Sequence, residues 1–166
     1  MARSTPVVPV VIASSRGAVD AADRLRATYA GQAEVLEAHV RTLAEATSGE
    51  EARDARDALA GWARESLLPH LEATGPLLDA ARQVPATALV AEAVDTLQRR
   101  LVSLVDALEG AARPAVAVAA ASALEAVHDV NRHHVDALLL PALVQTPGTD
   151  VAALVAPLLA DPADGS

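Results

Sequence analysis

The sequence contains no cysteine, no lysine and no phenylalanine, and beyond its histidines the aromatic side chains amount to Trp62 and Tyr29. Without cysteine there can be no disulfide, no thiol nucleophile and no thiolate metal ligand, so His, Asp and Glu are the strong ligands left. A cationic excess is missing too: 13 basic residues, all arginine, face 22 acidic ones, for a net charge of -9 and a pI near 4.9. Binding a nucleic-acid backbone needs a cationic surface, so DNA and RNA are not expected partners. Asp, Glu, Arg or Pro interrupts every apolar stretch before it reaches the roughly 18 residues of a membrane span.

What is present is aliphatic. The chain has 166 residues, 52% of them hydrophobic and mostly Ala, Leu and Val, enough for one domain with its own core. The N-terminal PVVPVVIAS is apolar but short, holds two prolines and follows only Arg3. It leaves a signal peptide possible but poorly formed, and the cytoplasm is the expected location. The domain reading is a flexible segment over 1–17, a helical domain over 18–160 and a disordered tail over 161–166.

The helical period organises the domain. From Ala18 to about Thr47, Leu25, Tyr29, Gln32, Leu36, His39 and Leu43 lie four and three apart, one stripe of an amphipathic helix. Ser48 with Glu51 reads as a capping box opening helix two. That helix carries Leu59, Trp62, Ser66, His70, Thr74 and Leu77 inward, with Pro69 and Gly75-Pro76 predicting a lost bond and a kink. Helix three follows Pro85 and ends at Gly110, with Val90, Val94, Leu97, Leu101, Leu104 and Leu108 on its seam and Gln98 outside it. Helix four opens at Arg113-Pro114, with Ala120, Leu124, Val127, Asn131, His134 and Leu138 inward. Asp150 caps a short last helix, Val151 to Leu159. Four long helices with short connections predict an all-α, antiparallel up-down four-helix bundle, whose cofactor sites lie between facing helices.

Three of the five histidines, His39, His70 and His134, fall on inward stripes of three helices; His128 sits near them and His133 is expected in solvent. A single inward histidine is usually a core residue with one hydrogen bond, whereas three converging can hold a metal.

The segment WARESLLPHLEATGPLLDAA resembles the second helix of hemerythrin-like, HHE cation-binding domains, LQRRLVSLVDAL their third, and DALLLPAL with TPGTDVAALVAPL the end of their fourth and its tail. The resemblance runs from about Val35 onward. It implies a di-iron site built from a His on helix one, His-x3-Glu on helix two, a His on helix three and His-x3-Glu on helix four. His39 and His70 match the first two histidines, but Thr74 stands at the helix-two Glu, Leu97 at the helix-three His, and Asn131 and Val135 at the helix-four pair. Two of six ligands remain and neither bridging carboxylate does, so a regular di-iron centre is not expected: adjacent cations need such bridges.

Three functions follow. The favoured one is a scaffold without cofactor that binds a small molecule or protein partner in the old site, a pocket of Trp62, Thr74, Leu97, His128, Asn131 and Val135. The alternative is a rebuilt site in which His39, His70 and His134, with or without His128, hold one Zn²⁺ or Fe²⁺ ion or a heme for sensing, redox chemistry or catalysis. A metal-free enzyme using His70 or His39 as base ranks last, since no nucleophile or paired carboxylate stands at helical spacing.

Overall fold

The computed structural model describes residues 13–159, with side chains from Arg16 onward. The predicted N-terminal segment, up to residue 12, and the predicted tail lie outside the described residues. Every regular element described is helical, with no strand among these residues. The elements are α1 (Ala13–Glu45), α2 (Gly49–Trp62), a first π segment (Ala63–Leu67), α3 (Leu68–Ala73), α4 (Gly75–Arg82), α5 (Ala88–Glu109), α6 (Pro114–His133), a second π segment (His134–Leu139), α7 (Leu140–Val144) and α8 (Val151–Leu159). α1 starts at Ala13, ahead of the expected Ala18. No helix of the described residues is long and apolar enough to cross a membrane.

The boundaries follow local chemistry. Ser48 Oγ accepts from Glu51 N–H at 3.1 Å while Glu51 accepts from Ser48 N–H at 3.2 Å, the reciprocal capping box the sequence predicts. Thr74 interrupts the path between α3 and α4 immediately before Gly75-Pro76. Pro114 occupies the first turn of α6 after an extended Arg113, where its missing N–H costs nothing. Gly110 ends α5, but at φ -76, so the end is right-handed and not the left-handed cap typical of glycine. Gly148 takes φ 83 in the turn before α8, and Asp150 Oδ1 caps that helix by accepting from Ala153 N–H at 3.0 Å.

Both π segments run into a Leu-Pro pair, Leu68-Pro69 and Leu140-Pro141. Proline donates no N–H and its ring crowds the carbonyl four residues back. The helix answers by widening: Leu68 N–H reaches Ala63 C=O and Leu140 N–H reaches Val135 C=O, each five residues back. The wide turn displaces the buried stripe. Ala63 and Leu67 are buried where Trp62 and Ser66 were expected, and Val135 and Leu139 where His134 and Leu138 were.

The interior forms two apolar clusters. One gathers Leu36 to Leu43 of α1, the run from Ala52 to Leu71, Leu101 to Leu108 of α5 and Ala117 to Leu124 of α6. The other gathers Ala18 to Tyr29, Leu77 to Ala81, Ala91 and Val94, Val135 to Leu143, and α8. Each long helical path visits both clusters, and the order reverses from one path to the next. α5 packs against α6, α4 and α2, while α1 packs against α2, α6 and α8.

Leu101 is fully buried and Leu89 is 85% exposed. Leu101→Ala is expected to lower the unfolding free energy by about 3 kcal/mol, while Leu89→Ala stays within about 0.5 kcal/mol of wild type, both read by urea denaturation. Equal effects would contradict the assigned α5 register.

Candidate functional site

Where the two clusters meet, each long path presents polar side chains to the interior. On α1 these are Tyr29 and Gln32; on α3 and its end, His70 and Thr74; on α5, Gln98; on α6, His128 and Asn131. All but Gln32, which is half-buried, are buried.

Part of this layer is hydrogen-bonded within the protein. Thr74 Oγ1 donates to Leu71 C=O at 2.5 Å and accepts from Gln98 Nε2 at 2.7 Å, so Thr74 and Gln98 lock α5 to the break between α3 and α4. The rest is not. Tyr29 Oη, Gln32 Oε1, His70 Nε2, His128 Nε2 and both side-chain polar atoms of Asn131 are buried without a hydrogen-bond partner in the protein. Such groups are uncommon in folded proteins, because each forfeits its bond to water.

The rings are oriented. Tyr29 meets His70 edge to face, centroids 4.9 Å apart and planes at 89°. Burial, then the charge of His128, pushes the His70 pKa down to about 4. Burial likewise lowers His128, with Arg132 adding to the shift and Asp129 opposing it. Both imidazoles are therefore neutral at pH 7, each offering one donor and one acceptor nitrogen. Burial first, and Asp136 second, raise the Tyr29 phenol, which keeps its proton. Asp136 lies on the second π segment, half-buried with Oδ1 unpaired. Burial raises its carboxyl, while Arg132, Arg26 and His133 pull it back.

The structure does not bring the three expected metal histidines together. His39 is half-buried and lies against Trp62, ring centroids 5.8 Å apart. It stands ten residues beyond Tyr29 on α1, about 15 Å of helix rise from the ring that touches His70. His134 is half-buried, its Nδ1 2.8 Å from Val130 C=O and its ring against His133, which is exposed as expected. Among the described residues no group of three or more His, Cys, Asp or Glu is placed to hold a metal ion.

Of the expected pocket, Thr74, His128 and Asn131 belong to the layer. Trp62 and Leu97 are half-buried, Trp62 against the first apolar cluster, and Val135 packs into the second. Gln98, expected outside, takes the inward position assigned to Leu97. Tyr29 lies on the predicted stripe and belongs to the layer without being among the expected site residues; its being the one tyrosine, a polar-tipped ring facing inward, is the signal for it.

Two bridged irons do not fit these residues. Among the described residues no carboxylate joins His70 and His128 in a group placed to hold a metal ion, the Thr74 hydroxyl is committed to two hydrogen bonds, and Val135 is apolar. The donors the layer does present are neutral nitrogens and oxygens of imidazole, phenol and carboxamide.

Protonation supplies a test of the buried imidazoles. The folded-state pKa of His70 lies below its ordinary 6.5, so as pH falls the unfolded chain takes the proton first. Stability is complete above about 6.5 and declines as pH drops from there toward about 4, with His128 acting in the same direction. Asp136, raised by burial, opposes this by favouring the folded state as it protonates. Urea midpoints measured across that window should fall with pH in wild type, and the fall should flatten in His70→Leu with His128→Leu. An unaltered slope in that double variant would place the acid sensitivity elsewhere.

Comparison with models of known protein families, with curated proteins and with solved structures finds no match for this chain, so a functional reading rests on the layer itself.

Proposed function

We propose that this chain is an antiparallel up-down four-helix bundle of the hemerythrin-like kind, in which the di-iron ligands have been replaced and the interior polar layer binds a small polar molecule. The reversal of cluster order from one helical path to the next supports the up-down arrangement, as do the short connections between paths. The observation that carries the binding reading is the set of polar atoms on Tyr29, Gln32, His70, His128 and Asn131 that are buried without a protein partner. A hydrogen-bonding guest that reaches these atoms would recover their desolvation cost. Because the layer's imidazoles, phenol and carboxamides are neutral at pH 7 and the Asp136 carboxyl acts on Tyr29, it favours an uncharged guest with both donor and acceptor atoms over an anion. A protein partner is disfavoured, since the layer is interior.

One observation favours a second reading. The Nε2 atoms of both His70 and His128 are unpaired, and a neutral imidazole nitrogen is a good ligand for Zn²⁺, Fe²⁺ or heme iron. In that reading His128 takes the place of His39 and His134.

Acetamide, a neutral donor and acceptor, should shift the side-chain NMR signals of His70, His128 and Asn131 and raise the melting temperature, while acetate of similar size should not. Asn131→Leu should abolish the response. Protein expressed in iron-supplemented medium should hold well under two irons per chain. Stoichiometric di-iron would overturn the replacement of the ligand set, and signals indifferent to acetamide would overturn the binding site. A chelator that lowers the melting temperature of wild type, but not of His70→Leu or His128→Leu, would establish the metal reading instead.

A further inference from the structure

Away from the polar layer, at the end of the molecule formed by the start of α2 and the turn between α5 and α6, lies a cleft of about 250 Å³. Its floor is methyl groups of Ala52, Ala111 and Ala117, and three of the chain's arginines, Arg53, Arg56 and Arg113, line it without any carboxylate. In a chain of net charge -9 the charged lining of this cleft is cationic alone, with Glu50, Asp54 and Asp57 of the same turns of α2 standing outside it.

The three arginines differ in what they have free. Arg56 is committed: Nε and Nη2 donate to Asp57 Oδ1, and Nη1 crosses to Ala111 C=O at 2.7 Å, fixing one wall. Arg53 gives only Nε to the backbone carbonyl of Gly49. Neither Arg53 nor Arg113 forms an ion pair among the described residues, a state they share with Arg24 and Arg100, which lie outside the cleft, whereas Arg26, Arg41, Arg64, Arg82, Arg99 and Arg132 are paired. Two unpaired guanidiniums converging on one concave surface, with a third held beside them, match the charge and the several acceptor oxygens of a dianionic phosphate. The alanine floor accepts a short apolar remainder. A nucleic-acid strand is excluded by size and by Glu50, Asp54 and Asp57, which are exposed on the same turns of α2 and repel an extended polyanion.

We infer that this cleft binds a small phosphate-bearing ligand, gripped by Arg53 and Arg113 against the wall fixed by Arg56. The site is independent of the polar layer, and its test does not involve that layer.

Backbone amide NMR titrations with glycerol phosphate, inorganic phosphate, succinate and glycerol test it. Both phosphates should give saturable shifts confined to Gly49–Arg56 and Ala111–Ala117. Arg53→Ala and Arg113→Ala should each weaken binding about tenfold, a charged hydrogen bond's worth, with the melting temperature unchanged. Tighter binding of glycerol phosphate than of inorganic phosphate assigns the site to esters; equal binding assigns it to free phosphate. Succinate binding as tightly as phosphate, glycerol alone reproducing the shifts, no saturation, or wild-type affinity in the double arginine variant would each overturn the inference.

Discussion

Desolvation of the polar layer is the constraint on which the rest of this structure turns. A core of Leu, Val and Ala in which neighbouring helices pack closely has no energetic use for imidazole, phenol and carboxamide at its centre, yet every long helical path contributes at least one. Two of these groups, Thr74 and Gln98, bond to one another and lock their helices in register. The others hold polar atoms out of water without a partner in the protein, at a cost of about 1–3 kcal/mol for each such group. A domain that retains such a layer gives up stability that a continuous aliphatic core would have kept, and binding is the return that would justify it.

The prolines set where that layer falls. Pro69 and Pro141 follow the two wide turns, and each wide turn adds a residue to its circuit of the helix. On the first path the widening ends just before His70, which meets Tyr29 across the interior. On the second it begins just after Asn131, so that Val135 and Leu139 return to an apolar cluster and His134 leaves the buried stripe. The same local strain thus starts the polar layer on one helix and closes it on another.

That geometry also explains what could be read from residues alone. The helical periods, the Ser48–Glu51 box, the Pro114 start and the Asp150 cap are local signals, and the helices begin and end close to where those signals put them. His70, Thr74, His128 and Asn131 were likewise legible as polar residues near inward stripes. The register inside each stripe was not. Positions three and four residues along are near neighbours on a helix, and preferring the apolar one selected Leu97 over Gln98 and Val127 over His128. A fixed period cannot foresee a π turn, and so it puts His134 inside. His39 was misleading for a different reason: its stripe is right but its height is wrong, since a periodicity says which face a residue takes and nothing of which level on the facing helix it meets. Net charge concealed the arginine cleft in the same way, because a sum over the chain carries no information on where like charges gather.

The central claim is that the polar layer is held at the expense of stability. Equilibrium unfolding in urea of a variant with an aliphatic layer, combining His70→Leu, His128→Leu and Asn131→Leu, measures this directly. The account predicts a variant that folds with the wild-type helical content and is more stable than wild type by a few kcal/mol, since each leucine removes a desolvated polar group at similar volume. A variant less stable than wild type would contradict it, and would mean that these side chains hold the core together.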